Sequence, residues 1–205
     1  STAHDFFDVQ ISGISGTVGV ADNRDGIKPA GETTGISGVT IELYTDPNGD
    51  GNPADGVLVD SVTTDANGEY SFPGIAVGNY VVVQTNLSGY TSTGDKDGGN
   101  LDRIKVALSG SSSSSANDFL DAQPGSISGS VIEDANGNGS KDGGETGIGS
   151  VTVQLFAADA DGNPTGTVLQ TATTDANGNY SFANLMPGKY VVVETDPSGY
   201  SSTGD

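Results

Sequence analysis

Asp65-Ala66-Asn67-Gly68-Glu69-Tyr70-Ser71-Phe72 returns 110 residues later as Asp175-Ala176-Asn177-Gly178-Asn179-Tyr180-Ser181-Phe182. Asn-Gly between two short apolar stretches signals a hairpin turn, so each copy announces a turn followed by a strand. The same offset carries Tyr80-Val81-Val82-Val83 to Tyr190-Val191-Val192-Val193, and Ser92-Thr93-Gly94-Asp95 to Ser202-Thr203-Gly204-Asp205. A repeat of roughly 100 residues is long enough to bury its own core, unlike the roughly 20–50-residue units of solenoids. The chain therefore reads as a string of small domains.

Outward from this stretch, helical periodicity is absent. Short alternating runs separated by Gly, Asn, Asp and Pro predict an all-β chain. In the first repeat, strands are expected at about 14–20, 38–44, 57–63, 69–73, 79–85, 102–108 and 117–123. Val39, Ile41 and Leu43 alternate with Thr40, Glu42 and Tyr44, as on a strand with one wet face. Seven antiparallel strands in a unit of this size suit an Ig-like sandwich of two packed sheets. The fold class expected is tandem Ig-like or prealbumin-like seven-stranded β-sandwiches with calcium-binding loops.

Three segments follow. Residues 11–123 form the first repeat, and residues 124–205 form a second that lacks its last two strands. Asp5-Phe6-Phe7-Asp8-Val9-Gln10 answers Asp118-Phe119-Leu120-Asp121-Ala122-Gln123, so residues 1–10 read as the terminal strand of a preceding repeat. An excerpt from a longer array explains this phase. Strand donation between copies is the rival explanation. The link Gln123-Pro124-Gly125-Ser126 is short, which limits swinging between repeats. Ser109–Ser115 is Gly/Ser-rich and is expected to be a mobile loop.

Composition narrows the function. With 27 acidic against 7 basic residues, the net charge is −20, which opposes binding to nucleic acid or to an anionic membrane. No apolar run approaches the roughly 20 residues of a helical span, so membrane insertion is not expected. The absence of Cys rules out disulfides and thiolate sites, so a small extracellular domain needs another brace. His4 is the sole His and lies near the terminus, and no Ser sits on a nucleophile elbow, so no enzyme is expected.

The acidic loops supply the candidate brace. Asp134-Ala135-Asn136-Gly137-Asn138-Gly139-Ser140-Lys141-Asp142-Gly143-Gly144-Glu145 matches a twelve-residue calcium loop. Oxygen donors stand at Asp134, Asn136, Asn138 and Asp142, a backbone carbonyl at Ser140, and a bidentate carboxylate at Glu145. Gly139 stands where the chain must turn sharply. The other reading is a Gly/Asn-rich turn whose Asp residues only cap the backbone. In the first repeat the counterpart is residues 21–32, with Asn23, Asp25 and Glu32 in register and Asp22 able to replace the missing first ligand. Ala21 and Pro29 occupy two ligand positions, which predicts an altered or empty site. A second acidic loop holds Asp46, Asn48, Asp50 and Asp55, and its counterpart holds Asp159, Asp161 and Asn163. Alternate side-chain oxygens suit a cation there, but no acid closes the loop at Val57, so a solvated hairpin is the competing reading. Strand parity would gather the 21–32 loop, the 64–68 turn and the 91–100 loop at one end, where Asp65, Asp95 and Asp97 could add oxygens.

The pattern Asp175-x-Asn177-Gly178-x-Tyr180-x-Phe182, Leu185-x-x-Gly188-x-Tyr190-x-Val192, Pro197-x-Gly199-Tyr200 resembles the B-type repeats of bacterial surface adhesins. These are the B repeats of serine-aspartate repeat proteins and the prealbumin-like B domains of collagen adhesins. The first repeat shows the same pattern, with Leu87 in place of the Pro. The resemblance implies a β-sandwich stalk on an extracellular cell surface, with Asp134 to Glu145 as Ca2+ ligands. Many collagen-adhesin domains form a Lys–Asn or Lys–Asp isopeptide bond from the first strand. Ile14–Val20 and Ile127–Glu133 hold no Lys, and no amine partner is evident for the remaining acids and amides. The expected partners are neighbouring repeats or copies of the same chain. The alternatives are an adhesin module binding a surface or matrix protein or glycan, with Tyr90 and Tyr200 as candidate contacts, and a filament subunit joined by its terminal strand.

Overall fold

The computed structural model describes residues 11–21 and 34–204. The chain divides into two compact units between Gln123 and Pro124. Residues 1–10 and the expected ligands Asp22, Asn23, Asp25 and Glu32 lie outside the described residues.

The first unit runs β1 (Ile11–Val20), β2 (Thr40–Thr45), a 3-10 turn (Pro53–Asp55), β3 (Leu58–Thr63), β4 (Glu69–Ala76), β5 (Gly78–Thr85), β6 (Thr91–Asp95), β7 (Arg103–Leu108) and β8 (Phe119–Ala122). One sheet has the order β4-β1-β8-β6, and the other β3-β2-β5-β7. All seven expected strands are present. The eighth, β6, was missed because its only ladder is with β8 and its sequence Thr91-Ser92-Thr93-Gly94-Asp95 has no apolar face. A second departure is polarity. β1 and β8 pair in parallel, with Val18 opposite Phe119 and Val20 opposite Asp121. This pairing joins the first and last strands of the unit, so no short-range signal announces it.

The alternating residues fill the space between the sheets. Ile14, Val18, Phe72 and Phe119 from one sheet meet Ile41, Leu43, Val82 and Ile104 from the other, and all eight are fully buried. Tyr70 packs edge-on against Phe72 with ring centroids 5.9 Å apart. Its hydroxyl donates to the Asn117 carbonyl, and burial pushes that phenol well above its usual range.

The Gly/Ser-rich segment is docked at its C-terminal end, contrary to the expectation of a mobile loop throughout. Ser114 N–H donates to the Gly13 carbonyl at 2.9 Å, and Ser15 N–H returns to the Ser114 carbonyl at 3.0 Å. The side chain of Asn117, fully buried, anchors it by donating to the Ser15 carbonyl at 2.9 Å. An amine partner for an amide also exists: Lys96 Nζ donates to Asn117 Oδ1 at 2.8 Å. Sequence spacing hid this pair because the two residues meet only when β6 packs on β8.

The second unit holds β9 (Gly125–Ser130), β10 (Thr152–Ala158), β11 (Pro164–Thr173), β12 (Asn179–Leu185) and β13 (Tyr190–Glu194). Its sheets are β11-β10-β13 and β12-β9. Val153, Leu155 and Phe182 centre its core. Residues 201–204, the counterparts of β6, form no strand, consistent with β6 having β8 as its sole ladder partner.

Two corner devices recur in both units. Buried Thr64 accepts from Val39 N–H at 3.0 Å and donates to the Ile36 carbonyl at 2.6 Å. Thr174 does the same with Val151 and Ile148 at 2.9 and 2.8 Å. Beside them Gly35 and Gly147 press against the carbonyls of Asn67 and Asn177, where an added Cβ would lie 1.9 and 1.8 Å from oxygen. Only glycine fits such an approach.

Candidate metal centre

Each acidic loop is a hairpin or sheet-to-sheet connection whose side chains fold back on their own backbone. In the connection from β2 to β3, Asp46 is 1% exposed. Its two carboxylate oxygens accept from Gly49 N–H at 3.0 Å and Gly51 N–H at 2.9 Å. Asn48 Oδ1 accepts from Asp50 N–H at 2.9 Å, and Asp50 Oδ1 from Asn52 N–H at 2.7 Å. Asn52 caps the 3-10 turn by accepting from Ala54 N–H. That turn carries Asp55 back toward the start of the loop. Asp46, Asp50 and Asp55 thereby offer carboxylate oxygens that lie within 4.8 Å of one another. The missing acid at Val57 is thus offset by Asp55, two residues earlier. Such a rigid, all-oxygen triad fits a hard divalent cation of the calcium class. Among the described residues it is the one group of three acidic side chains that converges so closely.

The loop 134–145 wraps around Asp134, whose carboxylate accepts from Gly137, Asn138 and Gly139 N–H at 2.7, 3.1 and 2.8 Å. These donors hold its carboxyl below the ordinary range, the Gly139 amide first among them. Glu145 closes the loop by accepting from Ala135 N–H at 3.1 Å and Asp142 N–H at 2.9 Å. Asn136 and Asn138 both turn Nδ2 to Asp142 Oδ2, each at 2.7 Å. Asn138 Oδ1 accepts from Ser140 N–H at 2.8 Å. Asn136, Asn138 and Asp142 therefore meet in one cluster, while Asp134 and Glu145 are turned to backbone amides of the same loop, and the three carboxylates do not converge as Asp46, Asp50 and Asp55 do. Ligation there requires the amides to present oxygen in place of nitrogen.

The counterpart of the 46–55 loop is tighter. Asp159 accepts from Asp161 N–H at 2.9 Å and Asn163 N–H at 2.8 Å, and Asn163 Nδ2 also donates to it. The backbone of Asn163, then its amide, lowers the Asp159 carboxyl. The three residues form a capped hairpin turn. Asp95 and Asp97 meet, Asp97 N–H donating to Asp95 Oδ1 at 3.1 Å, but Asp65 is held apart from them: it precedes β4 and Asp95 ends β6, the two outer strands of one sheet. Asp97 lies beside β7, accepting from Lys105 N–H at 3.0 Å. β6 adds a strand between β5 and β7, so the parity that groups Asp65 with Asp95 and Asp97 does not hold. Of the candidate contact tyrosines, Tyr90 packs against the core and Tyr200 is exposed.

The SdrD B-like domain family matches residues 14–118 and again 125–205. The chain belongs to this family. Serine-aspartate repeat-containing protein D of Staphylococcus aureus strain Newman is 36% identical over 188 residues, covering 88% of this chain. The bone sialoprotein-binding protein of S. aureus strain MRSA252 is 35% identical over 188 residues, covering 89%. The chain spans 13% and 15% of the lengths of these two relatives. Among solved structures, the shaft pilin SpaA of Lactobacillus rhamnosus GG aligns over 94% of this chain and 91% of its own, with TM-score 0.43 and 14% identity. The SdrD B-like repeat is an extracellular, cell-surface module of all-β architecture.

Proposed function

We propose that this chain is a calcium-stiffened stalk segment that spaces or links adhesive parts of a surface protein. The observation that carries the calcium reading is the convergence of Asp46, Asp50 and Asp55 at the tip of a hairpin. The tandem family match supports the stalk reading. Clustered carboxylates repel one another, and a divalent cation converts that repulsion into ordered ligation. Extracellular sites of this kind bind at about 10⁻⁴–10⁻³ M, so external calcium fills them. Binding to the folded form alone raises its stability. The partners on this reading are neighbouring repeats, and catalysis has no part in it.

The test is thermal unfolding of the chain in chelator and in millimolar calcium, with bound metal counted on the same sample. A calcium-dependent rise with bound ions is expected. The pair Asp134→Asn and Glu145→Gln should lower the melting temperature somewhat in chelator, because both oxygens of each carboxylate accept backbone N–H groups, and markedly more in calcium. Equal losses in both buffers would sink the calcium role of that loop.

A further inference from the structure

The first unit holds a strand that the second does not match, and the chain carries that strand's sequence a second time. β8 lies between β1 and β6 in the sheet β4-β1-β8-β6, whereas among the described residues the matching sheet of the second unit is β12-β9 alone. β8 pairs in parallel with the end of β1, with Val18 opposite Phe119, Gly19 opposite Leu120 and Val20 opposite Asp121. All four of its residues are buried. The Phe119 ring lies against Tyr70, with centroids 6.4 Å apart.

Without such a strand the second unit stays open. Val131, Ile132 and Glu133 are the counterparts of Val18, Gly19 and Val20. Together with residues 201–204, the counterparts of β6, they line a cavity of about 340 Å³. The cavity thus lies where the first unit places β8. The neighbouring core is less covered to match. Ile14 and Tyr70 are buried, but their counterparts Ile127 and Tyr180 are only partly so. An unpaired strand edge beside an open apolar slot is a template for adding another strand.

The occupant is written at the start of the chain. Asp5-Phe6-Phe7-Asp8-Val9-Gln10 stands 113 residues before Asp118-Phe119-Leu120-Asp121-Ala122-Gln123. Asp, Phe, Asp and Gln recur, and the other two positions stay apolar. The segment leads into β1 at Ile11 much as β8 leads into β9 at Gly125. The slot of the first unit is filled by its own β8, so the open one belongs to the second unit.

We propose that residues 5–10 of one copy of this chain add as a parallel strand to the end of β9 in the second unit of another copy. The register of β1 with β8 sets Phe6 opposite Val131, Phe7 opposite Ile132 and Asp8 opposite Glu133. Phe6 takes the core position of Phe119 and meets Tyr180. The donor's own second unit stays open, so the contact runs head to tail and builds an open chain of copies instead of a closed dimer. Asp8 enters beside Glu133, and Glu194 and Asp196 line the same cavity. Like charge therefore weakens the association, and salt strengthens it.

The test is sedimentation velocity of the whole chain over a wide concentration range at raised salt. Chelator is present throughout, so the result does not depend on the calcium reading. Concentration-dependent oligomers are expected. Phe6→Ser should weaken association by about tenfold or more, through loss of one buried aromatic anchor. Asp8→Asn should tighten it by removing a like charge. A synthetic peptide of residues 1–10 should cap the slot, dissolve the oligomers and shift the NMR resonances of Val131 and Ile132. Monomers at every concentration would overturn the proposal, and so would oligomers that Phe6→Ser leaves unchanged.

Discussion

Asp55→Asn should stabilise the first unit in the absence of calcium and lose most of that gain in its presence. Asp55 belongs to the triad whose oxygens lie within 4.8 Å of one another, and its side chain makes none of the loop's hydrogen bonds described above. The substitution therefore removes charge without breaking the Asx turns. At that separation each like-charged pair costs about 0.9 kcal/mol at the dielectric of water, and about 3.5 kcal/mol at an effective dielectric of about 20. Asp50 and Asp55 are exposed, so the water-like figure governs, further reduced by salt. Two of the three pairs vanish, which stabilises the calcium-free unit by about 1–2 kcal/mol. For a unit of this size that is a rise of about 4–8 °C in chelator. In about 5 mM calcium, a site with Kd of about 10⁻⁴–10⁻³ M contributes about 1–2 kcal/mol. Loss of a charged ligand forfeits most of it. Differential scanning calorimetry of the whole chain reads both conditions, and the first-unit transition is the one that moves. An equal rise in both buffers would refute cation ligation by the triad.

Two further outcomes test the frame and the electrostatics. Thr64→Val keeps the shape of a buried side chain but leaves Val39 N–H and the Ile36 carbonyl without their partner; urea unfolding should show a loss of about 2–4 kcal/mol, while Thr64→Ser, which keeps the hydroxyl, should lose far less. Asp175 is lowered from its ordinary value chiefly by the Asn179 backbone, then by the Asn179 amide and the Asn177 backbone. Its contribution is therefore complete above the unfolded carboxylate value and fades as pH falls through the lower folded one. Carbon-detected NMR should place its midpoint below that of a model Asp, and a midpoint above it would contradict the turn geometry.

Much of the architecture was legible in the chain. The 110-residue echo marked the domains, and the alternation of Val39, Ile41 and Leu43 marked a strand that the structure buries on that face. The Gly and Asn spacing from Asp134 to Glu145 marked a turn, which the structure forms with Asp134 accepting from Gly137, Asn138 and Gly139 N–H. These are local signals, set by neighbours a few residues apart, where periodicity and turn chemistry act directly. β6 escaped because its sequence lacks an apolar face and its stability comes from β8, which lies more than twenty residues away. The return of Asp55 depended on a 3-10 turn after Asn52 that composition alone did not announce.

What the sequence determined by itself is therefore the repeat, the all-β class and the acidic loops, because each is written within a short stretch. What the tertiary structure decided is which distant groups share a volume. The parallel pairing of β1 with β8, the meeting of Lys96 with Asn117, and the burial of Asp121 against Gln84 all join residues far apart in the chain. Their proximity follows from the packing of two sheets, and the energy that holds them there is collective burial, which no single segment encodes.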